Sequence, residues 1–380
     1  MIKGYNFMFK VLKLKYGGIK MEIKYNKLLI IDLSHMLHRS IAQPNLWEMR
    51  NAEGTRTGGV FGTLNSLLKE TSNFNYFPIA VCDGHLSPRR LAIYDNYKRN
   101  KDKQLLLEGV AYEEPTEYDL LQNEQRQEYN RQREILKEIL ITLGIPVLHL
   151  EDWEGDDLIY ILTQITKDSI IVSDDKDMLQ MICDNGERRC RVRRGMRDEF
   201  WDINSLKDMG IDQGEYIACK AICGDPSDNI PSACYGVGEK TALGLYKIYQ
   251  HSRTVTTGFP QDEKALADVC KFLELSKRKA YLNFDENQFL TNMLLMDLSL
   301  VQNDITQTVL DQIYDAISVG AHYTNYDLTR QLLQDQNINS ISVNTIIENV
   351  KRTKNLISME DYDTTKDVAD FVPKKVGGLF

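Results

Sequence analysis

Three stretches of the sequence decide the fold: KLLIID at residues 27–32, FPIAVCD at residues 77–83 and SIIVSDD at residues 169–175. Each stretch is a short, nearly continuous apolar run that ends in aspartate. Runs without polar alternation are typical of strands that are buried on both faces of a parallel sheet. GIPVLHL at residues 144–150 is predicted to be a fourth strand of the same kind.

Helical patterns separate these strands, at about residues 57–71, 118–143 and 154–166. The alternation predicts an α/β layer fold, with a mostly parallel central sheet that is flanked by helices and joined by right-handed crossovers. After about Trp201 the pattern becomes helical and poor in strands. The predicted organisation is a basic extension at residues 1–26, an α/β domain at 27–200 with a long insertion at about 88–133, a helical region at 201–300, and a C-terminal helical region with an acidic tail at 301–380.

The composition is that of an ordinary globular protein, with 380 residues of which 42% are hydrophobic and 27% charged. No apolar run approaches the ~20 residues needed to span a membrane, so no membrane partner is predicted. Seven cysteines without ligand-like spacing argue against a disulfide framework or a zinc site and favour reduced thiols in the cytoplasm. Lysines interrupt every apolar stretch of residues 1–26, which excludes a signal-peptide core and leaves a basic arm or, as we prefer, a translation start at Met21.

Three of the predicted strands end in aspartate, namely Asp32, Asp83 and Asp175. In an open parallel sheet, ligands bind beyond the carboxyl ends of the strands, so these side chains are expected to converge on one edge. Aspartate is also a favoured helix N-cap, and a single such residue would be interpreted that way. Three in the same topological position favour a site.

Further acids gather in WEGDD at residues 153–157, in SDDKDML at 173–179 and in GDPSDN at 224–229. A cluster of carboxylates without cations would be strongly repulsive, whereas oxygen-only ligands suit Mg²⁺ or Mn²⁺. Two such ions roughly 4 Å apart can activate a water and stabilise the leaving oxygen of a phosphodiester. The net charge of −9 would by itself argue against a nucleic-acid partner, but the nine candidate ligands account for it on their own. The nine candidate ligands are Asp32, Asp83, Glu154, Asp156, Asp157, Asp175, Asp177, Asp225 and Asp228.

The motifs together resemble the flap endonuclease/5′-nuclease superfamily, which includes the 5′-nuclease domain of bacterial DNA polymerase I, phage 5′-exonucleases and phage ribonuclease H. They occur in family order over about residues 27–250. The matching motifs are IIDLS at 30–34, CDG at 82–84, WEGDD at 153–157, SDDKDML at 173–179, AICGDPSDNIP at 221–231 and YGVGEKTA at 235–242. The resemblance implies a PIN-like core, a helical arch and a helix-three-turn-helix DNA-binding motif, with the nine carboxylates as ligands of two Mg²⁺ ions and with Asp83 counted among the catalytic residues. Two departures are Gly155 and the additional acid Asp174; we interpret Asp174 as outside the metal ligands or exposed.

GVGEKTA resembles the loop of the family's helix-three-turn-helix, although taken alone it would be an ordinary glycine-rich turn. Glycines let the backbone approach phosphates, and amides at the following helix start can donate to them. The resemblance implies phosphate contacts from Gly236, Gly238, Lys240 and Thr241, and a K⁺ ion at this loop.

The insertion carries basic residues and tyrosines where the family has its arch; the alternative is a solvated amphipathic helix. The resemblance implies that Lys98 and Arg99 clamp the scissile phosphate as catalytic residues, and that Tyr97 stacks on a base. Arg89 and Arg90 are predicted to contact the nucleic acid. The run ERRCRVRRGMR at 187–197 would by itself be a solvated strand-and-turn or hairpin face, but next to a nuclease site it is predicted to contact duplex phosphates.

The resulting prediction is a Mg²⁺-dependent 5′→3′ nuclease of a phage-like replication system. It would cut 5′ ends and flaps of DNA and remove RNA primers from RNA–DNA hybrids. VGGLF at residues 376–380 suggests a sliding clamp or a single-strand binding protein as a further partner. A junction resolvase of the same superfamily and a catalytically retired DNA-binding homologue remain as alternatives; toxin-like ribonucleases share an acidic α/β core but lack GVGEKTA.

Overall fold

The computed structural model describes residues 21–99, 116–195, 197–255 and 258–356. They form two compact units. The α/β unit contains residues 21–85, 116–203 and 305–356, and the helical unit contains residues 86–99 and 204–304.

Seven strands form one sheet in the α/β unit: β1 Tyr25–Asp32, β2 Phe77–Val81, β3 Val147–Leu148, β4 Thr166–Val172, β5 Cys183–Asp184, β6 Arg189–Arg194 and β7 Glu199–Trp201. The strand order is β3-β2-β1-β4-β6-β5, and β7 also pairs with β6. The first five strands of this order are parallel, while β5 and β7 run antiparallel to β6. The predicted α/β class, with a mostly parallel sheet flanked by helices, is confirmed.

Fourteen α-helices accompany this sheet in the described ranges: α1 Leu33–Ala42, α2 Pro44–Trp47, α3 Gly58–Asn73, α4 Pro88–Ile93, α5 Glu117–Thr142, α6 Gly155–Gln164, α7 Ile203–Asp208, α8 Gln213–Cys223, α9 Glu239–Val255, α10 Glu263–Phe272, α11 Glu286–Met296, α12 Gln307–His322, α13 Tyr326–Asp335 and α14 Val343–Thr353. Helices α4 and α8 to α11 lie in the helical unit, together with nearly all of α7. No helix in the described ranges is long and apolar enough to cross a membrane.

The central strand β1 forms the core of the α/β unit because its apolar run has no polar interruption. Leu28, Leu29, Ile30 and Ile31 are all buried, as expected of a strand with neighbours on both sides and layers on both faces. Asp32 ends the strand and caps α1, accepting a hydrogen bond from the backbone of His35. The strand–helix transition is therefore encoded in one short motif.

Several predicted boundaries differ from the structure. The predicted helix at 154–166 is too long, since Thr166 is already the first residue of β4. The predicted strand at 144–150 shortens to β3, because only Ala80 and Val81 of β2 pair with it. Both errors occur where apolar residues continue across a turn and periodicity gives no boundary.

The insertion and the C-terminal region are divided differently from the prediction. The insertion at 88–133 begins in the helical unit with α4 and ends in the α/β unit with α5, while residues 100–115 lie outside the described residues. The C-terminal helices α12 to α14 are part of the α/β unit and not a region of their own. Asn349 of α14 donates hydrogen bonds to the hydroxyls of Thr71 and Ser72 at the end of α3, a contact between distant parts of the chain that spacing alone does not predict.

The arginine-rich run at 187–197 forms β6 and is largely neutralised by acids of the same unit. Arg189 pairs with Asp168, and Arg193 pairs with Glu70, which is almost completely buried. The prediction that this run contacts duplex phosphates is therefore wrong for Arg193, whose side chain is 5% exposed, and it stays a prediction for Arg189, whose side chain is 46% exposed. The charge of Arg193 stabilises the buried Glu70 instead.

Candidate functional site

Asp32 stands at the carboxyl end of β1 and is only 8% exposed. One carboxylate oxygen accepts the His35 amide at 3.0 Å, and the other accepts the Ser173 hydroxyl at 2.8 Å. The same hydroxyl oxygen accepts the amide of Asp175 at 3.1 Å. Ser173 thus joins the ends of β1 and β4 and holds their two acids at one edge of the sheet.

Asp83 follows β2 and reaches the start of α6. Its amide donates to the Ser34 hydroxyl at 3.0 Å, and its Oδ1 accepts the Gly155 amide at 2.7 Å. A Cβ at position 155 would lie 2.8 Å from that oxygen, so glycine allows this approach. Gly155, where the sequence departs from the family pattern, therefore allows the Asp83 carboxylate to lie at the N-terminus of α6, where the helix dipole is positive.

Two carboxylates at the start of α6 are buried: Glu154, the residue before the helix, is 5% exposed, and Asp157 in its first turn is 2% exposed. Residues three apart on a helix lie on the same face, as the sequence predicted, and Asp156 between them is partly exposed. Acids at a helix start complement the helix dipole. The interaction with the helix dipole does not require the carboxylates to be buried. Burying a carboxylate costs free energy unless a cation or a hydrogen-bond donor compensates its charge.

The β4 end carries three acids with different roles. Asp175 accepts the amide of Asp177 at 2.8 Å and so begins the short 3₁₀ turn Lys176–Met181. Asp174 is ion-paired with Arg39 and lies 3.9 Å from Arg194. Its side chain is 8% exposed, so the expectation of an exposed residue is wrong, while an ion-pairing role fits the alternative that it lies outside the metal ligands.

Burial raises the pKa of Asp32 to about 6, and the negative charge of Asp83 adds to the effect. Hydrogen bonds from His35 and Ser173 oppose the shift without cancelling it. The folded protein therefore holds a carboxylate whose charge is unfavourable in the absence of a cation. Such perturbed groups are concentrated at functional sites.

The raised pKa gives a prediction for stability. The pKa of Asp32 is about 4 in the unfolded chain and about 6 in the folded protein. The folded state is therefore stabilised by this carboxyl while the carboxyl is protonated below about pH 4, and the stabilisation is lost as the pH rises to about 6. Asp32→Asn should therefore stabilise the protein in EDTA by about 3 kcal/mol more at pH 7 than at pH 4, relative to wild type. Urea denaturation at both pH values measures the difference.

Asp184→Asn, which changes an exposed acid, is the control and should show little pH-dependent difference. If the free energies of unfolding of Asp32→Asn and wild type differ by the same amount at pH 4 and at pH 7, the raised pKa of Asp32 is contradicted. At pH 7, added Mg²⁺ should make the wild-type protein more stable than Asp32→Asn, because the ion compensates the negative charge of Asp32 that the variant lacks.

The donor set fits a hard divalent cation in residue type, because it contains oxygen ligands only and three of its acids, Asp32, Glu154 and Asp157, are buried. Within the described ranges, no three His, Cys, Asp or Glu side chains are placed closely enough to hold an ion together. An ion would thus have to draw the carboxylates of Asp32, Asp83 and Asp157 towards each other. Burial, together with the charge of Asp83, raises the pKa of Asp32, and a bound cation would offset both effects.

The remaining predicted ligands, Asp225 and Asp228, belong to the helical unit. Burial acts to raise the pKa of Asp225, but a hydrogen bond from Ser227 and the charge of Lys220 outweigh it and hold the pKa below its usual range. Asp228 Oδ2 lies 3.8 Å from Lys98 Nζ and 3.4 Å from the Tyr97 hydroxyl. The GDPSDN turn is thus associated with the basic segment of the predicted arch.

Three residues that are predicted to contact nucleic acid make contacts within the helical unit. Tyr97 is 3% exposed in the core of the helical unit, so the prediction that it stacks on a base is wrong. Arg90 is 2% exposed and donates to the carbonyl of Leu295. Arg89 donates to the carbonyl of Leu294 and pairs with Asp304. Lys98 and Arg99, by contrast, are exposed.

The predicted phosphate-binding loop precedes α9 and is open to solvent. Gly236 has a φ of +78°, and Gly238 has no atom within 4 Å of the position that a Cβ would occupy. Lys240 is exposed, while the Thr241 hydroxyl donates to the Gly238 carbonyl at 3.0 Å. Tyr235, at the start of this loop, is 88% exposed.

Sequence reasoning missed three residues that position the candidate site: Ser34, Ser173 and Asn229. Ser34 lies in the motif IIDLS and Ser173 in the motif SDDKDML. Their position close to an acid at the end of a strand could have indicated that they hold the carboxylates. Asn229 follows Asp228 and donates to the carbonyls of Asn96 and Arg99. Its partners lie 130 residues or more away in sequence, and no spacing rule could find them.

Comparison with known proteins agrees with this geometry. Residues 27–207 match the family model of the 5′-3′ exonuclease N-terminal resolvase-like domain. The chain is 28% identical over 270 residues to a 5′-3′ exonuclease of Aquifex aeolicus, which covers 68% of this chain and 83% of that protein. It is 32% identical over 225 residues to DNA polymerase I of Pseudomonas aeruginosa, covering 57% of this chain and 22% of that protein.

DNA polymerase I of Lactococcus lactis is 26% identical over 314 residues, which is 76% of this chain and 32% of that protein. The chain therefore spans a third or less of these two polymerases.

Among solved structures, the T5 D15 protein co-crystallised with metal ions has a TM-score of 0.52 at 17% identity and covers 81% of this chain and 98% of its own. T5 5′-exonuclease with bound zinc ions has a TM-score of 0.52 at 21% identity and covers 78% of this chain and 99% of its own. At this identity the likeness concerns the fold, and it agrees with the α/β sheet described above. The acidic edge of a mostly parallel sheet, the motif order and the matched family model together identify residues 27–207 as a 5′-3′ exonuclease N-terminal resolvase-like domain.

Proposed function

We propose that this protein is a Mg²⁺-dependent, structure-selective 5′→3′ nuclease that hydrolyses phosphodiesters at 5′ ends and flaps. The observation that carries the proposal is the set of carboxylates at the carboxyl edge of the sheet, where Glu154 and Asp157 are buried and the pKa of Asp32 is raised. A protein keeps such an unfavourable group at a site when a bound cation compensates it.

The residues proposed to hold two divalent cations are the seven acids of the α/β unit, while a ligand role for Asp225 and Asp228 of the helical unit stays a prediction from the resemblance. When bound, the cations would supply Lewis-acid activation of the attacking water and offset charge on the leaving oxygen. The chain's own contribution is to orient the ligands. The Ser173 hydroxyl fixes one oxygen of Asp32, and the Gly155 amide fixes one oxygen of Asp83.

Two exposed groups of the helical unit are proposed to bind the nucleic acid. Lys98 and Arg99 would place positive charge against the scissile phosphate, and a guanidinium can contact it with two hydrogen bonds. The loop with Gly236, Gly238 and Lys240 would hold a duplex phosphate without reading sequence, as in a helix-three-turn-helix, and a K⁺ ion is proposed there.

The proposed substrates are DNA with a free 5′ end or flap and RNA–DNA hybrids in which the 5′ strand is RNA. The 5′-3′ exonuclease of Aquifex aeolicus supports the polarity, since it covers most of this chain. Ribonuclease H activity, a phage-type replication context and a cytoplasmic location stay predictions from the resemblance. The predicted contact with a sliding clamp or a single-strand binding protein falls on residues 376–380, outside the described residues.

The test compares end-labelled substrates of four kinds: a 5′-flap, a nicked duplex, an RNA–DNA hybrid and a four-way junction. We expect cleavage of the first three in Mg²⁺ or Mn²⁺, with no cleavage in EDTA and recovery when Mg²⁺ is restored. Cleavage that persists in EDTA would contradict the metal dependence. Cleavage of the junction alone would favour the resolvase, and binding of all four substrates without cleavage would favour a retired homologue.

A further inference from the structure

The turn that carries Lys98 and Arg99 is held by one side chain from a distant part of the helical unit. The Asn229 amide nitrogen donates to the carbonyl of Asn96 at 2.9 Å and to the carbonyl of Arg99 at 3.2 Å. These two carbonyls are the ends of the four-residue turn 96–99. An asparagine amide has two N–H groups, so one side chain can satisfy both carbonyls.

The backbone beside Asn229 adds a third contact. The amide of Lys98 donates to the carbonyl of Asp228 at 2.9 Å. Residues 228 and 229 therefore contact the first, third and last residues of the turn. Beneath it, the buried Tyr97 ring packs in the core and its hydroxyl lies 3.4 Å from Asp228 Oδ2.

This fixation has a conformational cost. Lys98 has a φ of 51° and Asn229 a φ of 59°, and both values lie in the left-handed region. Asparagine adopts this region readily, whereas a lysine there is strained and persists only when its surroundings hold it. The left-handed turn presents the Lys98 side chain at the surface next to Arg99, while Tyr97 faces inward.

We propose that Asn229 is a positioning residue that clamps the 96–99 turn and so fixes Lys98 and Arg99 for contact with the phosphate of the substrate. The proposal rests on the proposed function for its kinetic consequence, but the clamp itself is a property of the free protein. Asn229 acts through the turn and contributes no charge of its own.

Two substitutions test the clamp in different ways. Asn229→Gly keeps the left-handed backbone accessible and removes the amide, and Asn229→Asp keeps the shape but replaces the donors by acceptors that repel both carbonyls. We expect kcat on a 5′-flap to fall about tenfold to a hundredfold, because misplacing a positioning group has effects of this size. Substrate affinity should change much less, since the phosphate-binding loop is untouched.

The matched controls are Asn337→Gly and Asn337→Asp. Asn337 is a second asparagine in the left-handed region, with a φ of 54°, and it lies in the α/β unit. Both control variants should have wild-type kcat. If they slow cleavage as much as the changes at Asn229, a general effect of replacing left-handed asparagine explains the result and the proposal fails.

A combined-variant comparison tests whether Asn229 acts through Lys98 and Arg99. The variant Asn229→Gly/Lys98→Ala/Arg99→Ala should be no slower than Lys98→Ala/Arg99→Ala, because the clamp then has neither basic side chain left to position. Effects that multiply would mean that Asn229 acts independently and would overturn the proposal.

Amide hydrogen exchange separates failure of the clamp from failure of the proposed function. The Lys98 amide is hydrogen-bonded to Asp228, so its exchange should accelerate in Asn229→Gly and not in Asn337→Gly, at unchanged melting temperature. Unchanged exchange at Lys98 would refute the clamp, whatever the activity. If the wild-type protein cleaves none of the substrates, the proposed function fails while the exchange result still decides the clamp.

Discussion

Protein in which Asp157 is replaced by asparagine is expected to lose cleavage by at least about a thousandfold while it still binds flapped DNA. Asp157 is 2% exposed on the first turn of α6, three residues from the equally buried Glu154. Asparagine keeps the size of the side chain and removes its charge. The expected loss equals about 4 kcal/mol, which is within the several kcal/mol that a catalytic metal contributes.

Asp83→Asn should behave in the same way, because its carbonyl oxygen can still accept the Gly155 amide while the negative charge is lost. The control is Asp152→Asn, which makes the same change at an exposed acid just before α6 and should leave activity intact. Cleavage and binding are measured separately, by end-labelled flap cleavage in Mg²⁺ and by fluorescence anisotropy in EDTA. Full activity of both site variants would refute the site assignment, and loss of binding would point to a structural role.

The second large effect concerns stability and lies in β6. Arg193 is paired with Glu70 at 3.2 Å, and the two side chains are 5% and 2% exposed. Arg193 also pairs with Asp198. Arg193→Met should lower the free energy of unfolding by about 3–5 kcal/mol, because it leaves the Glu70 charge buried without its partner.

Replacing both partners should recover much of this loss, since Glu70→Met/Arg193→Met removes both charges and leaves apolar groups of similar volume. The exposed pair between Lys69 and Asp198 serves as the control, and Lys69→Met should cost less than about 1 kcal/mol. Urea denaturation in EDTA measures all three variants. A cost below about 1 kcal/mol for Arg193→Met would mean that water or local rearrangement solvates Glu70.

The central sheet could be predicted because its signal is local. An apolar run with no polar interruption, followed by aspartate, identified β1, β2 and β4, and the position of these aspartates predicted that they meet at one edge. The contacts of Asp32 with Ser173 and of Ser173 with Asp175 confirm that the ends of β1 and β4 meet there. The acids of α6 could be predicted for the same reason, since their spacing alone places them on one face.

The errors concern residues whose partners are distant in sequence. The run RCRVRR is compatible with a strand, but its ion pairs could not be predicted, because the acids that neutralise it, Asp168 and Glu70, occur elsewhere in the chain. The prediction that Arg90 and Tyr97 face nucleic acid came from the family resemblance together with their charge and aromaticity. Their actual partners, the Leu295 carbonyl and the core of the helical unit, lie more than about 100 residues later in the chain.

The segmented course of the α/β unit affects how the protein is made. Its sheet is complete by Trp201, but α12 to α14 are added only after the whole helical unit has been synthesised. At translation rates of about 5–20 residues per second, the roughly 150 intervening and final residues take roughly 8–30 s. During that time the face of α3 that Asn349 later contacts stays uncovered and available to chaperones. A nascent chain that ends before α14 therefore carries every residue of the candidate site but lacks part of the scaffold around it.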